Sequence, residues 1–167
     1  MILSVAFVPR LVRLASAPPV TVESGIRAKG APELLVYREG SRSAELLPNG
    51  AVAREGDVVQ IKYVPAGRRF GTIVSIDGRG AVTLHYPESA GGSTELESGA
   101  TSALNYAYQL DDAPGFERFF FVTAPERFRA SDVVDSARRL ALGGARTGAL
   151  DLPEGFEQAS VLLTKGE

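Results

Sequence analysis

The sequence predicts a mainly β protein, an antiparallel β-sandwich of the immunoglobulin-like or a related type, with one C-terminal α-helix. Its best-defined feature is the stretch 70–87, where two alternating apolar runs flank Asp77-Gly78-Arg79-Gly80. Glycines supply the positive φ that a tight hairpin needs. About seven short strand-like segments, separated by turn signals every ~8–12 residues, are typical of a sandwich or barrel. One stretch, 131–142, instead repeats apolar residues at helical spacing.

The composition indicates a globular domain without cysteine or histidine-rich metal chemistry. The 167 residues include 44% hydrophobic side chains, which is enough for a sizeable core. The net charge of −2 gives no general attraction to nucleic acid. There is no cysteine and His85 is the single histidine, so disulfides and thiolate metal sites are excluded. We therefore expect no cofactor, no metal and no nucleic-acid partner.

Residues 1–30 are expected to form an apolar N-terminal segment followed by a linker. Met1–Val8 is almost wholly apolar, but this run is far shorter than the ~20 residues that span a bilayer. Arg10 and Arg13 interrupt the apolar character further on, and the proline pair at 18–19 begins the linker. Two interpretations stay open: the end of a membrane anchor, or an amphipathic or β segment that packs on the domain 31–167.

The first part of the domain predicts strands before the hairpin. Glu33–Arg38 is a strand candidate, and Leu46 and Leu47 indicate a short strand within a polar stretch. Gly56-Asp57 opens the next strand, 58–64, in which apolar and polar residues alternate as in a half-buried antiparallel strand.

The chain after the hairpin predicts a long loop and two further strands. Glu88–Ser102 is rich in glycine and serine, and Leu96 is its anchor. Residues 104–110 alternate, and the turn Asp111–Gly115 follows. Phe116–Thr123 is apolar on both faces, which predicts a central strand that is buried on both sides or covered by the N-terminal segment.

One helix and a closing strand complete the domain. Ser131 is the predicted N-cap, Asp132 lies in the first turn, and Gly143-Gly144 ends the helix. One face is expected to pack on a sheet, with the arginines at 138–139 in solvent. Phe156–Thr164 reads as the last strand.

Titratable residues around the hairpin and the acidic turn are the candidate interaction site, and none is assigned a catalytic role. His85 alternates with Leu84 and Tyr86, so we expect it on the face opposite the core. The acidic pair at 111–112 suits turn capping, with a cation site shared with Glu117 as the alternative. Glu117 and Arg118 are expected to form a buried pair. The full candidate set is Asp77, Arg79, His85, Asp111, Asp112, Glu117 and Arg118.

Three segments together resemble a bacterial domain family of unknown function. They are GDVVQIKYV, FGTIVSIDGRGAVTLHYP and YQLDDAPGFERFFFVTA. The shared features are a Gly-Asp before a strand, a hairpin of the form S-x-D-x-x-G-x-V-T-x-x-x-P and an acidic turn before an aromatic strand. In this chain they are Gly56-Asp57; Ser75, Asp77, Gly80, Val82, Thr83 and Pro87; and Asp111-Asp112 with Phe116–Phe121. The resemblance covers roughly residues 31–142.

That family is found on the extracytoplasmic side of single-span proteins similar to anti-sigma factors, and beside caspase-like domains. The resemblance implies a non-catalytic, regulatory binding module at the cell membrane or facing the periplasm, with a cytoplasmic location as the alternative. It implies a protein partner or envelope ligand, and membrane association through residues 1–30. The expected contact surface combines the loop Glu88–Ser102 with the turn Asp111–Gly115.

Two functions from other classes stay open. The first is a carboxylate-dependent hydrolase acting on glycans, with a catalytic pair drawn from Asp77, Glu88, Asp111, Asp112 and Glu117. The second is a structural assembly subunit, in which the N-terminal segment and a surface formed by Phe119–Phe121 pack against a neighbouring copy.

Overall fold

Ten strands and one helix make up the part of the chain that the structure describes, the strand Val12–Arg13 and residues 30–166 of a computed structural model. The fold is mainly β, as the sequence predicts. In chain order the elements are β1 Val12–Arg13, β2 Glu33–Arg38, β3 Glu45–Leu47, β4 Val52–Ala53, β5 Val58–Val64, β6 Phe70–Asp77, β7 Val82–Tyr86, β8 Ser102–Gln109, β9 Phe116–Ala124, α1 Ala130–Ala141 and β10 Glu157–Lys165.

The strands form two five-stranded sheets. The first has the order β1-β8-β5-β2-β3 and the second the order β4-β10-β9-β6-β7. Neighbouring strands run antiparallel except for β4 and β10, where Val52 pairs in parallel with Thr164. The sequence did not predict β4, because its two residues are held by pairing with a strand more than 100 positions away rather than by a local pattern.

The space between the two sheets is the main core. Alternate residues of β5 point into it, as the alternation in 58–64 predicts. The second sheet contributes large side chains from its two central strands, Ile73 from β6 and Phe119 and Phe121 from β9, all with no exposed surface. Burying apolar side chains between sheets is the main force that holds such a sandwich together.

Helix α1 covers the outer face of the second sheet and creates a second core. Val133, Val134 and Ala137 pack against the outward residues of the sheet, among them Val74 and Phe120. β6 and β9 are therefore covered on both faces, by the first sheet on one side and by α1 on the other. The prediction that 116–123 is a central strand buried on both sides is confirmed, and the helix is the element that covers it.

The hairpin of β6 and β7 forms as predicted but contains a β-bulge. Ile73 lies opposite Tyr86 and Val74 opposite Leu84, so His85 is an extra residue on β7. A bulge places two consecutive residues of one strand against one residue of its partner and breaks the alternation of faces. The bulge therefore places His85 and Tyr86, two consecutive residues, on the same side of the sheet.

Two expectations about individual elements are wrong. Ser131 is not the N-cap, since α1 begins at Ala130, which is fully buried against the sheet, and the cap position falls on Arg129. The Arg129 side chain reaches forward to the carboxylate of Asp132 at 3.1 Å. Phe119–Phe121 does not form a surface for a neighbouring copy, because all three rings are completely buried.

The predictions for residues 1–30 concern positions that lie almost entirely outside the described residues. The exception is β1, whose backbone pairs antiparallel with β8 through Val12 and Ala107. Within the described part of the chain, no helix combines the length and apolar character needed to cross a membrane.

Candidate functional site

Two turns meet at one end of the sandwich and carry four of the seven candidate residues. They are residues 77–81, between β6 and β7, and residues 111–115, between β8 and β9, and we call them together the turn-end surface. Gly78 lies directly against Pro114, because a Cβ at position 78 would sit 1.5 Å from the Pro114 carbonyl oxygen. Only glycine allows the two turns to approach this closely.

Aspartates fix the backbone of both turns. The Asp77 Oδ1 atom accepts hydrogen bonds from the backbone N–H groups of Arg79 and Ala81, each at 2.8 Å. The Asp111 Oδ1 atom accepts the N–H of Ala113 at 2.9 Å. This Asx-type contact confirms that the acidic turn uses its first aspartate for capping.

An ion pair links the two turns across their exposed surface. The Arg79 Nη1 atom donates to Asp112 Oδ1 at 2.7 Å, and Nη2 donates to the Asp112 carbonyl oxygen at 3.2 Å. This hydrogen bond raises the pKa of Arg79 and lowers the pKa of Asp112. Lys165 at the end of β10 donates to the Asp111 carbonyl oxygen at 2.8 Å. The turn-end surface thus presents charges whose positions are set by contacts within the chain.

The acidic pair at 111–112 and Glu117 do not form the cation site that was the alternative to turn capping. Asp112 is paired with Arg79 and Asp111 lies beside Lys165, while Glu117 points into the core. Within residues 30–166, no three histidine, cysteine, aspartate or glutamate side chains are grouped so that they would hold a metal ion.

Glu117 and Arg118 do not pair with each other, which corrects that expectation. Consecutive residues of a strand point to opposite faces of the sheet. Glu117 points between the sheets, whereas Arg118 lies on the helix side, where its guanidinium donates to Gly148 O at 2.6 Å and to Ser160 Oγ at 3.0 Å. Arg118 also stacks over the ring of Phe120, so it secures the loop after α1 to the sheet.

His85 lies inside the sandwich, only 1% exposed. Its ring packs edge-on against Tyr108, with 4.8 Å between centroids, and against Phe119. The expectation that His85 lies on the face opposite the core is wrong, because the ring is buried between the two sheets. The expectation rested on alternation, which places His85 opposite both Leu84 and Tyr86. That is right for Leu84, which packs toward the helix, and wrong for Tyr86, which packs toward the inter-sheet core as His85 does because of the bulge.

Three buried polar side chains, His85, Ser75 and Glu117, form a cluster between the sheets, with Ser75 next to both of the others. The His85 Nε2 atom lies 2.9 Å from Ser75 Oγ, and the Ser75 hydroxyl also acts on the Glu117 carboxyl, whose pKa it lowers. The Glu117 Oε2 atom has no hydrogen-bond partner within residues 30–166. Asp77 lies directly opposite Glu117 on the neighbouring strand.

Burial shifts the pKa values of both ionisable residues of this cluster, His85 and Glu117, in the direction that favours their neutral forms. It lowers the pKa of His85 to about 3, so the imidazole is neutral at neutral pH. Burial also raises the pKa of Glu117 to about 7, an effect that the Ser75 hydrogen bond and nearby Lys165 oppose and that Asp77 strengthens. The carboxyl is therefore poised to gain or lose a proton near neutral pH.

The order of groups differs from a nucleophilic triad. In a triad the acid orients the histidine and the histidine activates an accessible hydroxyl. Here the Ser75 hydroxyl lies between the imidazole and the carboxyl, and Ser75, His85 and Glu117 are each about 1% exposed. The arrangement therefore offers no accessible hydroxyl to a substrate.

Sequence reasoning missed Ser75, Thr83 and Tyr108 as members of this cluster. Burial, with a contribution from Glu117, raises the Tyr108 pKa, and the neighbouring Thr83 side chain opposes this shift. The signal for Ser75 was present, because alternation in β6 places it on the same face as Asp77.

The contact surface expected from two segments is divided in the structure. Residues 88–101 precede β8 and residues 111–115 follow it, so they lie at opposite ends of that strand. The structure brings the acidic turn together with the β6–β7 turn instead, through Gly78 and the Arg79–Asp112 pair.

Comparison of the chain with models of protein families, with curated proteins and with solved structures finds no match in any of the three.

Proposed function

We propose that this chain is a non-catalytic binding module that contacts a protein partner or a cell-envelope ligand through the turn-end surface. The proposal places it on the extracytoplasmic side of a bacterial membrane, in a regulatory role, which is what the sequence resemblance implies. One observation carries the choice of binding over catalysis. The side chains that could act in catalysis, Ser75, His85 and Glu117, are buried inside the sandwich. The charged side chains of Arg79 and Asp112 are instead exposed and are held in place by their ion pair.

The enclosed groups argue against both acyl transfer and glycan hydrolysis. A nucleophile must reach the reacting atom of its substrate, and Ser75 is about 1% exposed. A glycosidase needs two carboxyl groups about 5–10 Å apart on either side of an open cleft. Asp77 and Glu117 are close in register, but both are buried, and Glu88 lies at the other end of β7. Binding is therefore favoured over the hydrolase alternative.

The turn-end surface has the rigidity that recognition requires. Its two turns are locked together by the Gly78–Pro114 contact and capped by buried or half-buried aspartates. The side chains of Arg79 and Asp112 remain 50% and 63% exposed. Loops that a rigid scaffold positions are common binding sites, and a fixed surface loses little conformational entropy when it binds.

The proposal is tested by site-specific photocrosslinking in cells of the organism that encodes the chain. A photoreactive amino acid replaces Asp112 in the full chain, and in a control it replaces Arg138 on α1, which is 67% exposed and also forms a surface ion pair. We expect a discrete crosslinked partner at position 112 and none at position 138. Equal crosslinking at both positions, or none at 112, would contradict the proposal.

A charge reversal then measures the contribution of the surface. Arg79→Glu is expected to weaken binding of the crosslinked partner about tenfold and to change its salt dependence, because surface charges chiefly govern association. Arg138→Glu, which also breaks one exposed ion pair, is the matched control and should leave binding unchanged.

Catalysis and location are tested separately. The purified chain is expected to show no turnover on panels of esters, peptides and glycans. Turnover that is lost in a folded His85→Asn variant would overturn the non-catalytic assignment. Fractionation of the same cells tests the location, and recovery of the chain wholly in the cytosol would contradict the extracytoplasmic part of the proposal.

A further inference from the structure

A small cavity opens at the end of the sandwich away from the turn-end surface, where β7 meets the beginning of β8. Its volume is about 110 Å³. One water molecule takes up ~30 Å³ in the liquid, so the cavity has room for a group of several heavy atoms. Three tyrosines and two carboxylates dominate its lining, which includes Tyr63, Tyr86, Glu88, Glu97, Asn105 and Tyr106. We call this cavity the tyrosine pocket.

Two of the tyrosines have their hydroxyl protons committed to the backbone. The Tyr86 hydroxyl donates to the carbonyl oxygen of Glu95, and the Tyr106 hydroxyl donates to the carbonyl oxygen of His85. A phenol has one proton to donate and further capacity to accept. These two side chains therefore present acceptor oxygens and aromatic rings to the pocket, but no remaining donor.

The third tyrosine forms a rigid floor. Tyr63 is only 2% exposed, and its ring packs on Tyr86 and Phe121, with centroid distances of 6.0 Å and 5.3 Å. Its hydroxyl oxygen accepts the backbone N–H of Glu97 at 3.3 Å. The pocket is thus shaped by packed rings rather than by mobile side chains.

The carboxylates at the mouth carry uncompensated negative charge. Glu95 is paired with Arg69 at 3.4 Å and with Arg127 at 3.6 Å. Glu88 and Glu97, in contrast, take part in none of the ion pairs formed by the described residues. Both are exposed and line the pocket, so their field is available to a ligand.

The negative field is felt by the tyrosines themselves. Burial raises the pKa of Tyr86, and Glu97 and Glu95 raise it further. Burial raises the pKa of Tyr106, and Glu88 adds to the effect. The phenols therefore stay neutral, and the potential in the pocket favours a positive charge.

We propose that the tyrosine pocket binds a small organic cation, an ammonium or guanidinium group of the kind that ends a lysine or arginine side chain. Such a group supplies only hydrogen-bond donors, which complements a lining in which two of the three phenolic protons are already used and the third hydroxyl, that of Tyr63, accepts a backbone N–H. Aromatic rings attract cations through their quadrupole, and carboxylates form strong charge-assisted hydrogen bonds with both groups. The tyrosine pocket lies apart from the turn-end surface, so cation binding in the pocket and partner binding at the turn-end surface are tested independently.

The experiment is a titration of the ¹⁵N-labelled full chain, followed by amide chemical shifts. The probes are methylguanidinium and its neutral counterpart N-methylurea, each added to the wild type and to the double variant Glu88→Gln, Glu97→Gln. We expect saturable shifts confined to the residues around the pocket with methylguanidinium, at a Kd of order 1 mM. The double variant should bind at least about fivefold more weakly, and N-methylurea should not saturate.

One control variant and three contrary outcomes test the cation site. Glu154→Gln removes one exposed carboxylate that does not line the pocket and should leave the affinity unchanged. Equal shifts with N-methylurea, equal affinity in the folded double variant, or shifts spread over the whole surface would each overturn the site.

A second pair of probes identifies the source of the cation. They are the peptides Gly-Arg-Gly and Gly-citrulline-Gly, in which the guanidinium is replaced by a neutral urea group. Tighter binding of the arginine peptide than of methylguanidinium assigns the pocket to a partner polypeptide. Equal or weaker binding assigns it to a free amine or guanidine, and both results retain the cation site.

Discussion

Replacing Glu117 with glutamine removes a carboxyl that titrates inside the sandwich and changes how stability depends on pH. Burial raises the Glu117 pKa from its ordinary value of 4.5 to about 7. Between those pH values the folded chain holds a proton that the unfolded chain has released, so the free energy of unfolding falls as the pH rises. At about 1.4 kcal/mol per pH unit, the free energy of unfolding falls by roughly 3 kcal/mol over this interval.

His85 conceals this dependence in the wild type, because it titrates in the opposite sense. Burial lowers the His85 pKa from 6.5 to about 3, so between these values it is the unfolded chain that binds the additional proton. The free energy of unfolding therefore rises with pH through His85 while it falls through Glu117. From about pH 4.5 to 6.5 the two contributions to the free energy of unfolding cancel in the wild type. In Glu117→Gln only the His85 contribution remains, so the free energy of unfolding rises by about 1.4 kcal/mol per pH unit over this range.

The assay is urea unfolding of both chains between about pH 4.5 and 8.5, followed by far-UV circular dichroism. The measured quantity is the free energy of unfolding of Glu117→Gln minus that of the wild type. We expect it to increase by about 3 kcal/mol from pH 4.5 to 7 and to level off above. Glu154→Gln, at an exposed position, is the control with little dependence on pH. A difference for Glu117→Gln that stays constant over this range would refute the reasoning.

Three further substitutions probe the buried cluster, the junction of the turns and the helix-covered core. His85→Asn removes the histidine titration, so relative to the wild type it should gain about 3 kcal/mol of stability, measured by urea unfolding, as the pH falls from 6.5 to 4.5. Gly78→Ala forces a methyl group into the Pro114 carbonyl and should cost about 2–4 kcal/mol in the same assay. Phe120→Ala opens a cavity beneath α1 at a fully buried position and should cost about 3–5 kcal/mol, with a lower Tm by calorimetry.

Two control substitutions and two contrary results test these expectations. Gly91→Ala adds the same methyl where nothing lies within 4 Å and should change stability little, so equal losses at both glycines would contradict the steric argument. Leu142→Ala truncates a side chain in a residue that is 89% exposed and should be nearly neutral. A His85→Asn curve parallel to the wild type at every pH would show that the imidazole does not titrate as its burial requires.

The strands were predictable because their signals are local. Alternation in 58–64 and the glycine-rich turn at 77–80 determine where β5 and the hairpin lie, whatever the rest of the chain does. The apolar character of 116–123 likewise indicated a strand covered on both faces. These features depend on residues a few positions apart, which a sequence displays directly.

The candidate site was predicted residue by residue but not as an arrangement. Nothing local shows that β6 lies beside β9, which is what places Asp77 opposite Glu117 and Ser75 between Glu117 and His85. The bulge at His85 depends on the register between two strands, and the closeness of Gly78 to Pro114 depends on two turns far apart in sequence. Such features follow from tertiary packing rather than from periodicity.

The double cover of β6 and β9 determines how the chain exchanges its amide hydrogens with solvent. Both strands are enclosed by a sheet on one side and a helix on the other, and both are hydrogen-bonded along their two edges. Their amides are therefore expected to exchange only when the entire chain unfolds, whereas those of β3 and β7 exchange through local opening at the sheet edges. Slow exchange in β6 and β9 then reports the global free energy of unfolding under native conditions, without any denaturant.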